Sequence, residues 1–215
     1  MSNVLIIGDL HEPFCLKEYL PFCKKVYKEE KCNKVVFIGD VIDSHYSSYH
    51  ETDPDGMSAG DELTSAIKRL RKWYRAFPLA HVMLGNHDLI VHRKAFSAGV
   101  SSRWIREFSD VLQTPLWNFV ESKKIDGITY CHGTGKKARA RAKDNMLSIC
   151  QGHYHTDAYA EWLTGENFKV LAMQVGCGID RRSYAMAYGK HFPHPAIGCG
   201  VIKNGKVATT HMMDL

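Results

Sequence analysis

The sequence predicts an α/β fold whose second half passes into β-hairpins, and three observations carry that expectation. Val4-Leu5-Ile6-Ile7 and Val35-Val36-Phe37-Ile38 are continuous apolar runs, as in strands buried on both faces, and each ends in Gly-Asp. Between them Tyr19, Leu20, Cys23, Val26 and Tyr27 fall at helical spacing, which makes a βαβ unit with parallel strands. After Pro115 short strand-like runs surround Asp126-Gly127, a further glycine turn and Asn204-Gly205, the signals of tight hairpins.

Taken in order, the first strand ends at Gly8-Asp9, and Pro13 blocks helix until the chain has turned. The helix that follows puts Lys24, Lys25, Lys28, Glu29 and Glu30 mostly on its outer face, and Asn33 closes the connection to the second strand. Residues 44–57 form a loop rich in Tyr, His and Ser, with the turn Asp53-Pro54-Asp55-Gly56. Ser58 with Asp61 resembles a capping box, and Leu63, Ile67, Leu70, Tyr74 and Phe77 then keep helical spacing up to Pro78. A third strand at 81–84 follows. Residues 89–115 are short helical pieces stopped by Pro115. Runs at 117–120 and 128–131 flank Asp126-Gly127 as a hairpin, and 136–146 is a basic helix. A strand at 147–150 precedes Gly152. Two further hairpins join 159–162 to 168–171 and 201–202 to 207–209. There is no internal repeat and no low-complexity segment.

The 215 residues contain no Pro/Gly/Ser-rich linker, which predicts a single domain over 1–215. Hydrophobic content of 45% and charged content of 24% are ordinary for a globular chain. No apolar run approaches the roughly 18 residues that span a bilayer, so no membrane association is expected. Met1-Ser2-Asn3 lacks a charged n-region, so the expected compartment is the cytoplasm, that of a host cell if the chain is viral. The 7 cysteines include no Cys-x-x-Cys pair and are expected as free thiols. A net charge of +5 is compatible with an anionic substrate and does not demand nucleic acid. Nothing implies an obligate protein partner.

The chain is organised around Gly85-Asn86-His87-Asp88, which follows the third strand. Asp9-Leu10-His11, Gly39-Asp40-Val41-Ile42-Asp43, Cys131-His132-Gly133 and Gly152-His153-Tyr154-His155 stand in the same position, just after apolar runs. In open α/β sheets ligands bind beyond the carboxyl ends of the strands. Adjacent strands lie about 5 Å apart, so these side chains can meet. Asp, Asn and His offer oxygen and imidazole donors without thiolate, which suits Mn²⁺, Fe or Zn²⁺. One carboxylate can bridge two ions, and ions about 3.5–4 Å apart can clamp a phosphoryl group.

Asp-x-His, Gly-Asp-x-x-Asp, Gly-Asn-His-Asp, His-Gly and Gly-His-x-His, in that order over residues 8–155, resemble the calcineurin-like metallophosphoesterases. The resemblance implies a four-layer α/β/β/α sandwich with mixed sheets. It implies two divalent metal ions, Mn first, with Fe, Zn or Ni as alternatives. Asp9, His11 and His155 would hold one ion; Asn86, His132 and His153 the other; Asp40 would bridge them. His87 would be the catalytic histidine and Asp43 the carboxylate that orients it. The attacking group would be a metal-bound hydroxide, with no covalent enzyme intermediate. The chain departs from the protein Ser/Thr phosphatases: Ser44-His45 and Met83-Leu84 stand where those carry phosphate-clamping arginines. Gly-His-Tyr-His is instead similar to the phosphodiesterase and nuclease branches, and the layout with Gly176-Cys177-Gly178-Ile179-Asp180 is similar to small phage-encoded members.

The expected function is therefore a dimetal phosphodiesterase acting on a nucleotide or nucleic-acid-like substrate, with a phosphomonoesterase as the alternative. His45, His92, Arg93 and Lys136 are expected substrate contacts, since each lies close after a metal-bearing strand end. Lys136, Lys137, Arg139, Arg141 and Lys143 read either as a solvated helix face or as a phosphate-backbone contact. The second reading leaves open a metal-containing nucleic-acid-binding module. Asp88 is expected to support the site rather than to bind metal. His50, His81, His191, His194 and His211 are expected at the surface, and the scattered aromatics make no evident base-stacking platform.

Overall fold

Two mixed β-sheets pack face to face between helices. The computed structural model describes residues 2–189 and 193–214; His191 lies outside them. The first sheet has the order β11-β10-β1-β2-β3-β4. Its parallel centre is β1 (Asn3–Ile7), β2 (Lys34–Phe37), β3 (Ala80–Met83) and β4 (Trp117–Val120). The hairpin β10 (Gly198–Lys203) and β11 (Val207–Met212) adds antiparallel to β1. The second sheet runs β5 (Ser122–Ile125), β6 (Ile128–Cys131), β7 (Ile149–Gln151), β9 (Phe168–Gln174) and β8 (Tyr159–Gly165), with β6, β7 and β9 parallel and both edge strands antiparallel.

Side-chain alternation along the strands builds the layers. Val4, Ile6, Val36, Ile38 and Met83 point from the first sheet onto Ile128, Tyr130, Cys150, Leu171 and Met173 of the second. Leu5, Ile7, Val35 and Phe37 point the other way, onto Tyr19 and Cys23 of α1 (Tyr19–Glu29) and Leu70 and Trp73 of α2 (Ala59–Ala76). On the far side, Val170 and Ala172 of β9 receive Ala138 and Ala142 of α5 (Ala138–Asn145). The result is the α/β/β/α sandwich. Two short helices, α3 (Ile90–Ser97) and α4 (Phe108–Val111), complete the segment before β4. Among the described residues no helix is long and apolar enough to cross a membrane.

The expected local devices are present. Ser58 caps α2, its hydroxyl accepting from Asp61 N–H at 3.2 Å and donating to the Asp61 carboxylate at 2.7 Å. Asp126-Gly127 and Asn204-Gly205 take positive φ at both residues, as a type I′ turn requires.

Three expectations are corrected. Trp117–Val120 does not form the hairpin with β6; it lies parallel to β3 at the edge of the first sheet, and the hairpin partner is the charged strand Ser122–Ile125. The strand before Gly152 begins at Ile149 rather than Leu147, because β7 pairs with β6 only from Thr129↔Ile149 onward. Of the expected stripe of α2, Leu70 and Phe77 are buried and Ile67 and Tyr74 pack against the core, but Leu63 is exposed, and Glu62, Ala66 and Trp73 are buried beside them. Glu62 takes the inward place at the first turn, where it accepts the N–H groups of His45 and Tyr46 at 2.7 and 3.0 Å.

Candidate metal centre

The five motif strands end at one cleft between the sheets. Asp9 and His11 follow β1, Asp40 and Asp43 follow β2, and Asn86 and His87 follow β3; His132 follows β6, and His153 and His155 follow β7. The chain turns sharply as it leaves these strands, with positive φ at His11, Asp40 and His153. Asp88 fixes one of these turns. Its buried carboxylate accepts the N–H groups of Asp40 at 2.8 Å, Gly85 at 2.9 Å and Ile42 at 3.2 Å. Two motif glycines are explained by close approach. A Cβ on Gly85 would stand 2.0 Å from Asp40 Oδ1, and one on Gly152 would stand 2.3 Å from Asp9 Oδ1.

Asp9, His11, Asp40 and His155 present ligand atoms within 4.8 Å of one another, and so do Asp40, His132 and His153. Asp40 belongs to both groups. Asn86 Oδ1 joins the second group, 3.0 Å from His132 Nε2. The imidazoles are oriented from behind. His132 Nδ1 donates to the Ile38 carbonyl at 3.1 Å, and His11 Nδ1 donates to Asp43 Oδ1 at 2.5 Å. His132 Nε2 then faces Asp40 Oδ2 at 3.1 Å as well as Asn86. His11 Nε2 faces His155 Nε2 at 3.2 Å and Asp40 Oδ2 at 3.6 Å. Asp9 Oδ1 is buried with no hydrogen-bond partner. Lone pairs of nitrogen and oxygen thus converge where each needs a proton or a cation between them. The residues fit divalent metal, and the absence of thiolate selects a borderline or hard ion.

The electrostatics follow from burial and crowding. Burial opposes the charge of Asp40, but His132 above all, then His87 and His11, hold its carboxyl well below the usual carboxylate range. Asp9 is lowered in the same way, against burial, by His132 and His155. Burial also opposes a charge on His132, yet Asp40 and Asp9 push it up to about 10. His11 and His153 are lowered, first by burial and then by neighbouring histidines. His87 is raised because Asp40 and then Asp43 outweigh its burial. Asp88 is pushed up to about 7 by burial and then by Asp40.

His87 lines the same cleft, but its support differs from expectation. Its Nδ1 donates to the backbone carbonyl of Asp43 at 2.6 Å and lies 3.5 Å from the Asp43 carboxylate. The Asp43 carboxylate is engaged chiefly by His11. The third cluster of potential ligands, His11, Asp43 and His87, is therefore a hydrogen-bonded set behind the centre.

The four expected substrate contacts do not line this cleft. His45 is buried; its ring packs against Phe14 and Tyr184, and its Nε2 accepts Asp53 N–H at 3.2 Å, so it holds the 44–57 loop together. His92 stacks on Phe108, and Arg93 lies over the Tyr49 ring, both in a neighbouring hollow. Lys136 pairs with Asp144 at 2.6 Å. The residues that line the cleft beside the motif set are His50, Tyr154, Thr156 and Pro193. Tyr154 and Thr156 were legible as neighbours of His153 and His155; His50 and Pro193 arrive from distant loops and carried no local signal. Most of the basic run is neutralised, since Lys137 pairs with Asp157 at 2.8 Å and Arg139 with Glu161 at 2.5 Å.

The family model of the calcineurin-like phosphoesterases matches residues 2–174. No curated protein matches the chain. Vacuolar protein sorting 29 from Cryptosporidium parvum is 14% identical, with 99% of this chain and 98% of that one covered at a TM-score of 0.47. Vps29 from Chaetomium thermophilum is 15% identical, with 94% and 82% covered at 0.43. The phosphoesterase Yfce from E. coli is 12% identical, with 94% and 88% covered at 0.44. At these scores the three likenesses decide nothing about the site. The family match spans most of the sequence and every one of the motif strand ends, and the chain belongs to the calcineurin-like phosphoesterases.

Proposed function

We propose that the chain hydrolyses phosphodiesters with two divalent ions, manganese foremost. One observation carries the reading: the Asp40 carboxylate is shared by two groups of ligand atoms, with His87 beside them on the same cleft. When bound, such ions neutralise phosphoryl charge and lower the pKa of water. Asp9, His11 and His155 would hold one and Asn86, His132 and His153 the other, with Asp40 between. Asp88 sets the Asp40 backbone, and His87 N–H donates to Asp40 Oδ1 at 2.8 Å, so the shared carboxylate is fixed from two sides. With Nδ1 of His87 given to the Asp43 carbonyl, Nε2 remains to deliver a proton to the leaving oxygen. One water is consumed, one P–O ester bond breaks, and a phosphomonoester and an alcohol leave.

The choice of diester rests on charge. Among the described residues no lysine or arginine lines the cleft. Besides the ions, a monoester dianion would find no cationic side chain there other than a protonated histidine, whereas a diester carries a single charge. The test compares bis(p-nitrophenyl) phosphate with p-nitrophenyl phosphate in Mn²⁺. We expect higher kcat/KM on the bis ester, loss on chelation and recovery when Mn²⁺ is restored. Faster turnover of the monoester would return the reading to a phosphomonoesterase, and inertness toward both across divalent metals would remove the enzymatic reading.

A further inference from the structure

The segment from Leu89 to Arg106 carries Arg93, Lys94, Arg103 and Arg106 and no acidic residue. Unlike the basic run of α5, none of these four cations is ion-paired among the described residues. The turn Ser102–Trp104 packs against α3, which brings the two halves of the segment together. Large aromatics interleave with the charges. Phe96 is 85% exposed, Trp104 84% and Tyr49 58%, an unusual cost for rings of this size if nothing covers them. Arg93 and Lys94 sit 5.0 and 5.3 Å from the centroid of the Tyr49 ring.

This face adjoins the metal cleft at Tyr49-His50. His50 lines the cleft, and the adjoining Tyr49 lines a hollow of about 480 Å³ with His92, Arg93 and Phe96. His92 in turn walls a mostly apolar cavity of about 350 Å³ with Val91, Ile105 and Phe108. Consecutive residues thus line the cleft and the first hollow, and His92 is a wall common to both hollows.

We propose that this face is the track of a single-stranded nucleic acid leading into the metal cleft, its cations on successive phosphates and Tyr49, Phe96 and Trp104 under unstacked bases. Exposed rings flanked by unpaired cations are the equipment of sequence-tolerant single-strand binding. A duplex offers its phosphates but not its base faces. A second copy of the chain is disfavoured, because four like charges would meet their counterparts across a two-fold interface. The inference takes its chemistry from the phosphodiesterase reading, while the binding itself does not depend on that reading.

The test uses a 5′-fluorescein oligo-dT of about 20 nucleotides, followed by anisotropy across a salt series and by metal-dependent cleavage. We expect salt-sensitive binding tighter than to a duplex of equal length. Lys94→Glu with Arg106→Glu should weaken binding at least tenfold and reduce the salt slope by about 1.4. Phe96→Ala with Trp104→Ala should weaken it about tenfold and leave the slope in place. In both variants cleavage of the oligonucleotide should fall at least tenfold relative to turnover of bis(p-nitrophenyl) phosphate. Wild-type affinity in both variants, no binding at low salt, or a wild-type dimer that the aromatic variant converts to monomer would each overturn the proposal. Oligonucleotide binding lost in the variants, in a wild type inert on the bis ester, would support the track and overturn the phosphodiesterase reading instead.

Discussion

His11 and His87 both reach toward Asp43, and the distances decide between them. Asp43 Oδ1 is 2.5 Å from His11 Nδ1 and 3.5 Å from His87 Nδ1, which takes the Asp43 carbonyl at 2.6 Å. Removing the carboxylate charge should therefore disturb metal binding before proton transfer. We predict that Asp43→Asn weakens Mn²⁺ affinity by about 10–100-fold and recovers most turnover at saturating metal. His87→Ala should bind metal as wild type does and lose about 10²–10⁴ in kcat. Calorimetric titration with Mn²⁺ and kcat as a function of metal concentration separate the two. Normal metal affinity with a collapsed kcat in Asp43→Asn would assign its carboxylate to His87. That these residues would converge was readable from sequence, because residue type and position after an apolar strand suffice to nominate a candidate ligand. The partner of His87 was not readable, because a main-chain carbonyl carries no residue signature. The burial of His45 was hidden for a related reason: Phe14 and Tyr184, against which its ring packs, are far away in the sequence.

Elements were legible where one local cause dominates. The apolar runs of β1, β2 and β3, the glycine-bearing turns and the Ser58 cap each state their conformation within a few residues. β5 did not, because Ser122-Lys123-Lys124-Ile125 is an edge strand whose polar side chains face solvent, and edge strands are commonly charged. Its neighbour Trp117–Val120 looked like the hairpin arm because it is apolar, which in fact reflects burial beside β3. Two predictions belong at this scale. Ser58→Ala should cost about 1 kcal/mol of stability, seen as a lower urea midpoint at unchanged slope. The second concerns Glu30, at the end of α1, whose Oε2 lies 2.6 Å from Lys203 Nζ of β10 and Oε1 3.7 Å from His211 of β11. The Lys203 hydrogen bond holds the Glu30 carboxyl below its ordinary value, against a smaller opposing effect of burial. A lowered folded value means stability present above the ordinary carboxylate range and lost as pH falls through the folded value. Glu30→Gln should thus cost under about 1 kcal/mol at pH 7, a difference that shrinks as the pH falls below the ordinary carboxylate range. A difference that grew on acidification would reverse the assignment.

For the molecule as a whole, the site is the seam between the sheets. Asp9, His11, Asp40 and Asn86 come from the first sheet, and His132, His153 and His155 from the second. That two sheets exist was not derivable from strand periodicity, which fixes which face of a strand is buried but not which sheet covers it; the four layers came from the family resemblance. The division has a thermodynamic consequence. An ion held by both sheets binds the folded chain and finds no such set in the unfolded one, so metal should stabilise the fold by mass action. At 100 times Kd the gain at a single site is about 2.7 kcal/mol. Thermal unfolding followed by circular dichroism should shift upward with the logarithm of Mn²⁺ concentration and fall back on chelation. Asp40→Asn alters the one carboxylate common to both ligand groups and should abolish most of that dependence, whereas Ser58→Ala should lower every midpoint alike and leave the dependence intact. The pair of variants matters because a general loss of stability and a loss of linkage are then distinguishable. A wild-type midpoint indifferent to Mn²⁺, Zn²⁺ and chelator would mean that the converging lone pairs are satisfied by protons alone. His132, charged and lying 3.1 Å from Asp40, would then be the group that closes the seam.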